Sequence, residues 1–295
     1  MSKAPPVVYA IFGPTASGKS AVAEALADRL GTEVVSADAM QVYRGLPLLT
    51  NQPARPTRLV AIRSLSEEMS LGAYAALAHA EIDELVATAG SAVVAGGTGL
   101  YLRAALADLD VPPAPPAGAR ERWEALYDAG PAAAHAELAA RDPAAAAAVH
   151  PRDRRRVVRA LELAEAGRTL APARRGLWDG GTRLPTLVAG LDVPAEELER
   201  RIRARAEAMF AAGVEREVQE ALAGPVSRTA ARALGLGEVA ELPPAEALER
   251  IVLRTRRYAA YQRKWMRRIP GLVSVDATRA ADEVVDAILE VARAR

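Results

Sequence analysis

The chain has 295 residues, 51% of them hydrophobic, with 38 basic and 37 acidic side chains and a formal net charge of +1. That length holds one large α/β domain with an insertion, or two domains, each with a sizeable core. The absence of cysteine excludes disulfides, thiolate metal sites and a thiol nucleophile, and fits a reducing compartment.

Residues 7–12 form the first apolar run, too short to cross a membrane. It leads straight into a Gly-rich loop, so it reads as a buried strand of a soluble, cytoplasmic protein with no membrane partner. The loop Gly13-Pro14-Thr15-Ala16-Ser17-Gly18-Lys19-Ser20 fills every required position of G-x-x-x-x-G-K-[ST], and a helical pattern over 21–30 follows it. Backbone amides of such a loop wrap a phosphate, and the helix N-terminus behind them adds about half a positive charge. Lysine occurs elsewhere only at Lys3 and Lys264, so in this arginine-rich chain Lys19 stands where phosphate chemistry favours a compact point charge. The Ser20 hydroxyl is the candidate ligand for Mg2+.

Strand-like runs at 33–36 and 92–95, with a helix near 73–87, continue the alternation of a parallel sheet flanked by helices. Residues 111–118, rich in proline, read as a stiff connector. Helical patterns follow over 119–129, 131–140, 143–149 and 153–166, with Gly167 as a stop. A strand at 186–193 resumes the sheet. Helices to about 212 and over 246–268 follow, then a strand at 272–275 and a helix at 281–292. The expected fold is a P-loop NTPase-like α/β core over 1–112 and 182–295, interrupted by a helical insertion over 113–181.

The run at 92–95 ends in Gly96-Gly97-Thr98-Gly99-Leu100-Tyr101 without the aspartate that NTP-hydrolysing proteins usually carry there, and no guanine-reading Asn-Lys-x-Asp stretch is present. The second strand runs into Asp38 instead, which the topology of such a sheet points at the same crevice as the P-loop. A carboxylate beside a polyanion is unfavourable unless it binds a metal or accepts a proton; a simple helix-capping role is the other reading.

Arg152, Arg154, Arg155, Arg156 and Arg159 cluster at one helix start. A second strip holds Arg254, Arg256, Arg257, Arg263, Lys264, Arg267 and Arg268, interleaved with Tyr258, Tyr261 and Trp265. Few acidic residues stand within a helical turn of either, so both read as phosphate and base contacts for RNA rather than as solvated faces. His79, His135 and His150 lack the spacing of a zinc site, and Trp123 and Trp178 read as packing residues.

The P-loop, Asp38-Ala39-Met40-Gln41-Val42-Tyr43, Thr50-Asn51-Gln52-Pro53, the Gly96–Tyr101 stretch, His150-Pro151-Arg152-Asp153, the run at 201–205 and Gln262-Arg263-Lys264-Trp265-Met266-Arg267 form an ordered series. It resembles the tRNA dimethylallyltransferases, the IPP transferase family. The resemblance implies that the P-loop holds dimethylallyl diphosphate with Mg2+ at Ser20. The prenyl group passes to the exocyclic amine of an adenosine beside the anticodon of tRNA, with Asp38 accepting the proton. It also implies that Lys19 and Arg205 stabilise the leaving diphosphate and that Thr98 sits where donor and tRNA meet. The tRNA anticodon stem-loop is then contacted by Asp38, Ala39, Met40, Gln41, Thr98, Arg155, Arg156, Arg159, Gln262, Trp265 and Arg267, on a chain that acts as a monomer. The chain departs from the family pattern at Ala39, Gln52, Thr57, Ala61, Leu236-Gly237 and Ala260-Tyr261. A small-molecule P-loop kinase, and a tRNA-binding protein whose catalysis has decayed, are the competing readings.

Overall fold

A computed structural model describes residues 6–109, 115, 116, 118–170, 178 and 181–294; most of the proline-rich connector at 111–118 lies outside them. The chain divides into two compact units, Met1–Leu109 with Gly181–Arg295, and Asp110–Gly180.

The larger unit carries the sheet. Its elements run β1 (Val8–Phe12), α1 (Lys19–Leu30), β2 (Val34–Ser36), α2 (Leu71–Ala89), β3 (Ala92–Gly96) and α3 (Gly99–Leu106). In the smaller unit follow α4 (Ala119–Ala129), α5 (Pro131–Arg141), α6 (Pro143–Ala148) and α7 (Arg154–Glu165). The larger unit then resumes with β4 (Thr186–Asp192), α8 (Ala195–Ala211), α9 (Val214–Leu222), α10 (Leu236–Glu241), α11 (Pro244–Met266), β5 (Val273–Asp276) and α12 (Ala281–Arg293).

The five strands are all parallel, in the order β2-β3-β1-β4-β5. Every residue of β1 is buried, as expected of a strand covered by helices on both faces. Tyr9 and Ile11 join Leu26 of α1, Leu187 and Leu191 of β4, Ile202 of α8 and Ile288 of α12 in one apolar core.

Three α-helices have no counterpart in the sequence reading. The helix α3 starts inside the Gly-rich stretch at 96–101, whose glycines mask it. The segments α9 and α10 are short, with 9 and 6 residues, below the length at which apolar periodicity decides. Within α9, Glu217, only 9% exposed, accepts the amide protons of Leu48 and Leu49 at 2.7 and 2.8 Å. A carboxylate thus caps a bend that borders the site described below.

The smaller unit packs α4–α7 around Leu138, Val157 and Leu161. Asp142 and Asp153 cap α6 and α7 by accepting the amide protons of Ala145 and Arg156, the start signals expected of aspartate.

Candidate active site

The strand register builds the site. Phe12 pairs with Gly96 on one side and Gly190 on the other, and Ser36 pairs with Ala95. The P-loop therefore leaves β1 at the level where β3 turns into Thr98, and Asp38 lies two residues past the end of β2 at the same edge. This is the crevice beyond the carboxyl ends of the strands, where the order reverses around β1.

The Gly96-Gly97-Thr98-Gly99 stretch is a set of close approaches. A Cβ on Gly96 would fall 2.2 Å from the Ala37 carbonyl oxygen, one on Gly97 2.2 Å from Gln262 Nε2, and one on Gly99 2.4 Å from the Trp265 ring. The first contact is with backbone and cannot yield. Gly96→Ala is accordingly expected to destabilise the chain by about 3 kcal/mol, the upper end of overpacking costs, measured by urea unfolding.

In the loop itself, Ala16 and Gly18 take left-handed backbone at φ 65° and 90°, the kind of turn that forms anion-binding concavities, and the Ser17 amide between them donates to the Pro14 carbonyl at 3.2 Å. Lys19 Nζ donates to the Pro14 carbonyl at 2.8 Å. The Ser17 hydroxyl is buried without a hydrogen-bond partner among the described residues. Arg205 of α8 donates to Thr15 Oγ1 at 2.7 Å.

Burial pulls the Lys19 ammonium down to about 8, with Asp38 opposing and Arg205 adding to the shift. Burial likewise lowers the Arg205 guanidinium, with Asp38 opposing. Two cations thus share a desolvated pocket that an anion would relieve. A bound diphosphate keeps Lys19 protonated, so above pH 8 the complex holds a proton that the free chain has lost. Binding of dimethylallyl diphosphate is therefore expected to weaken as pH rises through about 8, by up to tenfold per unit. Calorimetry in buffers of different ionisation enthalpy should show proton uptake at pH 8.5 and little at pH 7.

Asp38 Oδ1 accepts the amide protons of Met40 at 2.8 Å and Gln41 at 3.4 Å. This fixes a turn and caps no helix, since the described residues between β2 and α2 form none, while Oδ2 accepts no hydrogen bond among the described residues. Gln41 is itself held, receiving the Ser36 hydroxyl proton at 3.0 Å and donating to the Asn51 carbonyl at 2.8 Å. Gln52, where the family pattern has lysine, donates to the Tyr43 carbonyl at 2.7 Å and stitches the same loop. Tyr74, Tyr101 and Tyr258 lie within electrostatic reach of the aspartate. Burial raises all three phenols, and the Asp38 charge adds to the rise, so they remain neutral.

A cavity of about 720 Å³ joins these parts. The P-loop residues Thr15, Ala16, Gly18, Lys19 and Ser20 line it, with Asp38, Ala39, Met40, Gln41, Thr98 and Arg205. Gly13, Pro14 and Ser17 complete the loop behind that surface. Leu49, Ile202, Met209, Leu234 and Ile251 give the cavity an apolar wall.

Two expected RNA contacts are engaged elsewhere. Gln262 is only 2% exposed; its Oε1 accepts the Thr15 amide proton at 2.7 Å and its Nε2 donates to the Gly97 carbonyl at 2.9 Å. It braces the P-loop against the turn before α3 and lines the same cavity as Asp38 and Thr98. Arg159, in the smaller unit, donates to Glu162 at 2.9 Å, a carboxylate with no exposed surface. Arg120 holds the same carboxylate, so two guanidinium groups share in compensating that buried charge.

The scarcity of nearby acids in sequence also misleads, because the partners come from other elements. Arg154 meets Asp128 at 2.8 Å, Arg256 meets Glu199 at 3.3 Å and Arg254 pairs with Glu238. Arg155, Arg156, Arg257, Lys264, Arg267 and Arg268 have no ion pair among the described residues. Of the aromatics, Tyr261 is 55% exposed, whereas Trp265 packs over Gly99 and Tyr258 lines the cavity. Arg232 and Arg254 also line it. Arg254 belongs to the arginine strip noted in the sequence, whereas no sequence motif marks Arg232 as a site residue.

A parallel sheet with this order and a P-loop after its central strand defines a P-loop α/β protein. The family model described as IPP transferase matches residues 41–269, and that for isopentenyl transferase matches residues 6–59. The chain belongs to the IPP transferase family. It is 42% identical to the tRNA dimethylallyltransferase of Kineococcus radiotolerans, over 93% of this chain and 92% of that protein. To the enzyme of that name from Salinispora arenicola it is 40% identical, over 92% and 82%. The crystal structure of tRNA isopentenylpyrophosphate transferase from Bacillus halodurans superposes with a TM-score of 0.69 at 29% identity, covering 97% of this chain and 95% of that one.

Proposed function

We propose that this chain is a tRNA dimethylallyltransferase, moving the dimethylallyl group of dimethylallyl diphosphate to the N6 amine of the adenosine 3′-adjacent to the anticodon. The observation that carries this reading is that Lys19, Arg205 and the Asp38 carboxylate line one cavity with the P-loop. Phosphate-binding cations and a proton acceptor there face a common space.

In the reaction, the amine nitrogen attacks the allylic carbon as the bond from that carbon to the diphosphate oxygen breaks. The proton leaves the nitrogen for Asp38, and the electron pair leaves with the diphosphate. An aromatic amine is a weak nucleophile, so a positioned carboxylate base assists. Lys19, Arg205 and the loop amides stabilise the charge gathering on the leaving group. The apolar wall suits the prenyl chain. The base reaches the cavity by leaving its stack, which costs least in a single-stranded loop.

Ser20 is exposed at the start of α1 and lines the cavity, and among the described residues no three His, Cys, Asp or Glu gather as a metal cage. That donor set fits Mg2+, which is held mostly by phosphate oxygens and water. When bound, it adds positive charge to the diphosphate. The exposed arginines Arg155 and Arg156 of α7, with Arg267 at the end of α11, are the proposed contacts to tRNA phosphates. No described helix is long and apolar enough to cross a membrane, in keeping with action on tRNA in the cytoplasm, here by a monomer.

Incubation with labelled dimethylallyl diphosphate and bulk bacterial tRNA, followed by nucleoside analysis, is expected to give dimethylallyl-adenosine. ATP consumption without RNA, or tight tRNA binding without product, would decide for the kinase or the decayed binder.

A further inference from the structure

Thr98 is the N-cap of α3, yet its side chain makes no hydrogen bond to that helix. A threonine there ordinarily turns its oxygen onto the second or third amide of the helix, here those of Leu100 and Tyr101. Its Oγ1 lies instead 3.2 Å from the hydroxyl of Tyr258, which comes from α11, 160 residues further along the chain. Both residues line the cavity with Asp38.

Two side chains one turn apart on α11 therefore converge on this turn. Gln262 holds the Gly97 carbonyl, which fixes the backbone just before Thr98, while Tyr258 meets the side chain. The phenol is pushed up to about 12, by burial first and the Asp38 charge second, so it keeps its proton. Each hydroxyl has one proton to give. If the phenol donates to Thr98 Oγ1, the threonine proton is left for another acceptor.

We propose that Tyr258 is a positioning residue: its phenol donates to Thr98 Oγ1, keeps that hydroxyl off the α3 amides, and leaves the threonine proton free for the reacting pair in the cavity. The proposal rests on the cavity being the prenyl-transfer site. It assigns the aromatic strip of α11 two duties, since Tyr258 works inside while Tyr261 remains on the surface.

The test is a mutant cycle with a structural readout. Tyr258→Phe keeps the ring and is expected to lower kcat about tenfold, with KM for dimethylallyl diphosphate and for tRNA within about twofold of wild type. Added to Thr98→Ala, the same change should cost nothing more, because the two act through one hydroxyl. A crystal structure of Tyr258→Phe should show Thr98 Oγ1 turned onto the amide of Leu100 or Tyr101. Wild-type turnover in Tyr258→Phe, losses that multiply in the double variant, or an unmoved Thr98 side chain would each overturn the proposal. Should the unaltered chain transfer no prenyl group, the functional reading fails, and the Thr98 rotamer alone then decides the role of Tyr258.

Discussion

Asp38→Ala is expected to reduce turnover by about 10²–10⁴-fold, the range for a general base, while the affinity for dimethylallyl diphosphate changes by less than about threefold. The variant also removes the oxygen that accepts the Met40 and Gln41 amide protons, so the loop itself would loosen. Asp38→Asn separates the two effects. An asparagine side-chain carbonyl still accepts those amides but takes up no proton from the amine. An equal loss in Asp38→Asn assigns the effect to proton acceptance; near-wild-type turnover in either variant would remove Asp38 from the chemistry. Direct titration of the donor, followed by single-turnover product formation, keeps binding and chemistry apart.

Lys19→Ala is expected to weaken donor binding by about 100-fold or more, the loss seen when one partner of a buried charge pair is deleted. Its ammonium already lies against the Pro14 carbonyl, so the free chain holds the charge in place before any ligand arrives. The substitution should also abolish the fall in donor affinity above pH 8, because that titration belongs to Lys19. A Lys19→Ala chain that binds the donor as wild type does, or keeps the same pH profile, would show that the diphosphate lies elsewhere. Equilibrium dialysis at pH 7 and pH 9 makes both comparisons.

The phosphate cradle is legible in sequence because its chemistry is local: eight consecutive residues form the loop, and the strand and helix around it have clear periodicities. The strands are legible within a residue or so, since each is a short buried run. Asp38 is legible through topology, as a carboxylate just past a strand that ends at the same edge. What sequence does not disclose depends on partners brought together by folding. Glu217 lies in a segment too short for the sequence to mark as a helix, yet it caps the bend at Leu48 and Leu49. Gln262 sits in a strip of arginines and reads as surface, but α11 turns that face inward. The acids that neutralise Arg154 and Arg256 lie on other helices, beyond the reach of any count along the chain. The Gly-rich stretch at 96–99 is visible as a motif, but its cause, contact with Ala37, Gln262 and Trp265, appears only in three dimensions.

The bond from the Thr15 amide to Gln262 joins residues 247 apart, and the central strand waits for β4 to supply its second neighbour. A chain emerging from the ribosome thus presents its nucleotide-style loop early but unbraced. The loop cannot mature until α11 has been made. Premature termination anywhere before α11 leaves a fragment with a recognisable motif and no finished pocket, so the newborn enzyme is silent until that helix has emerged.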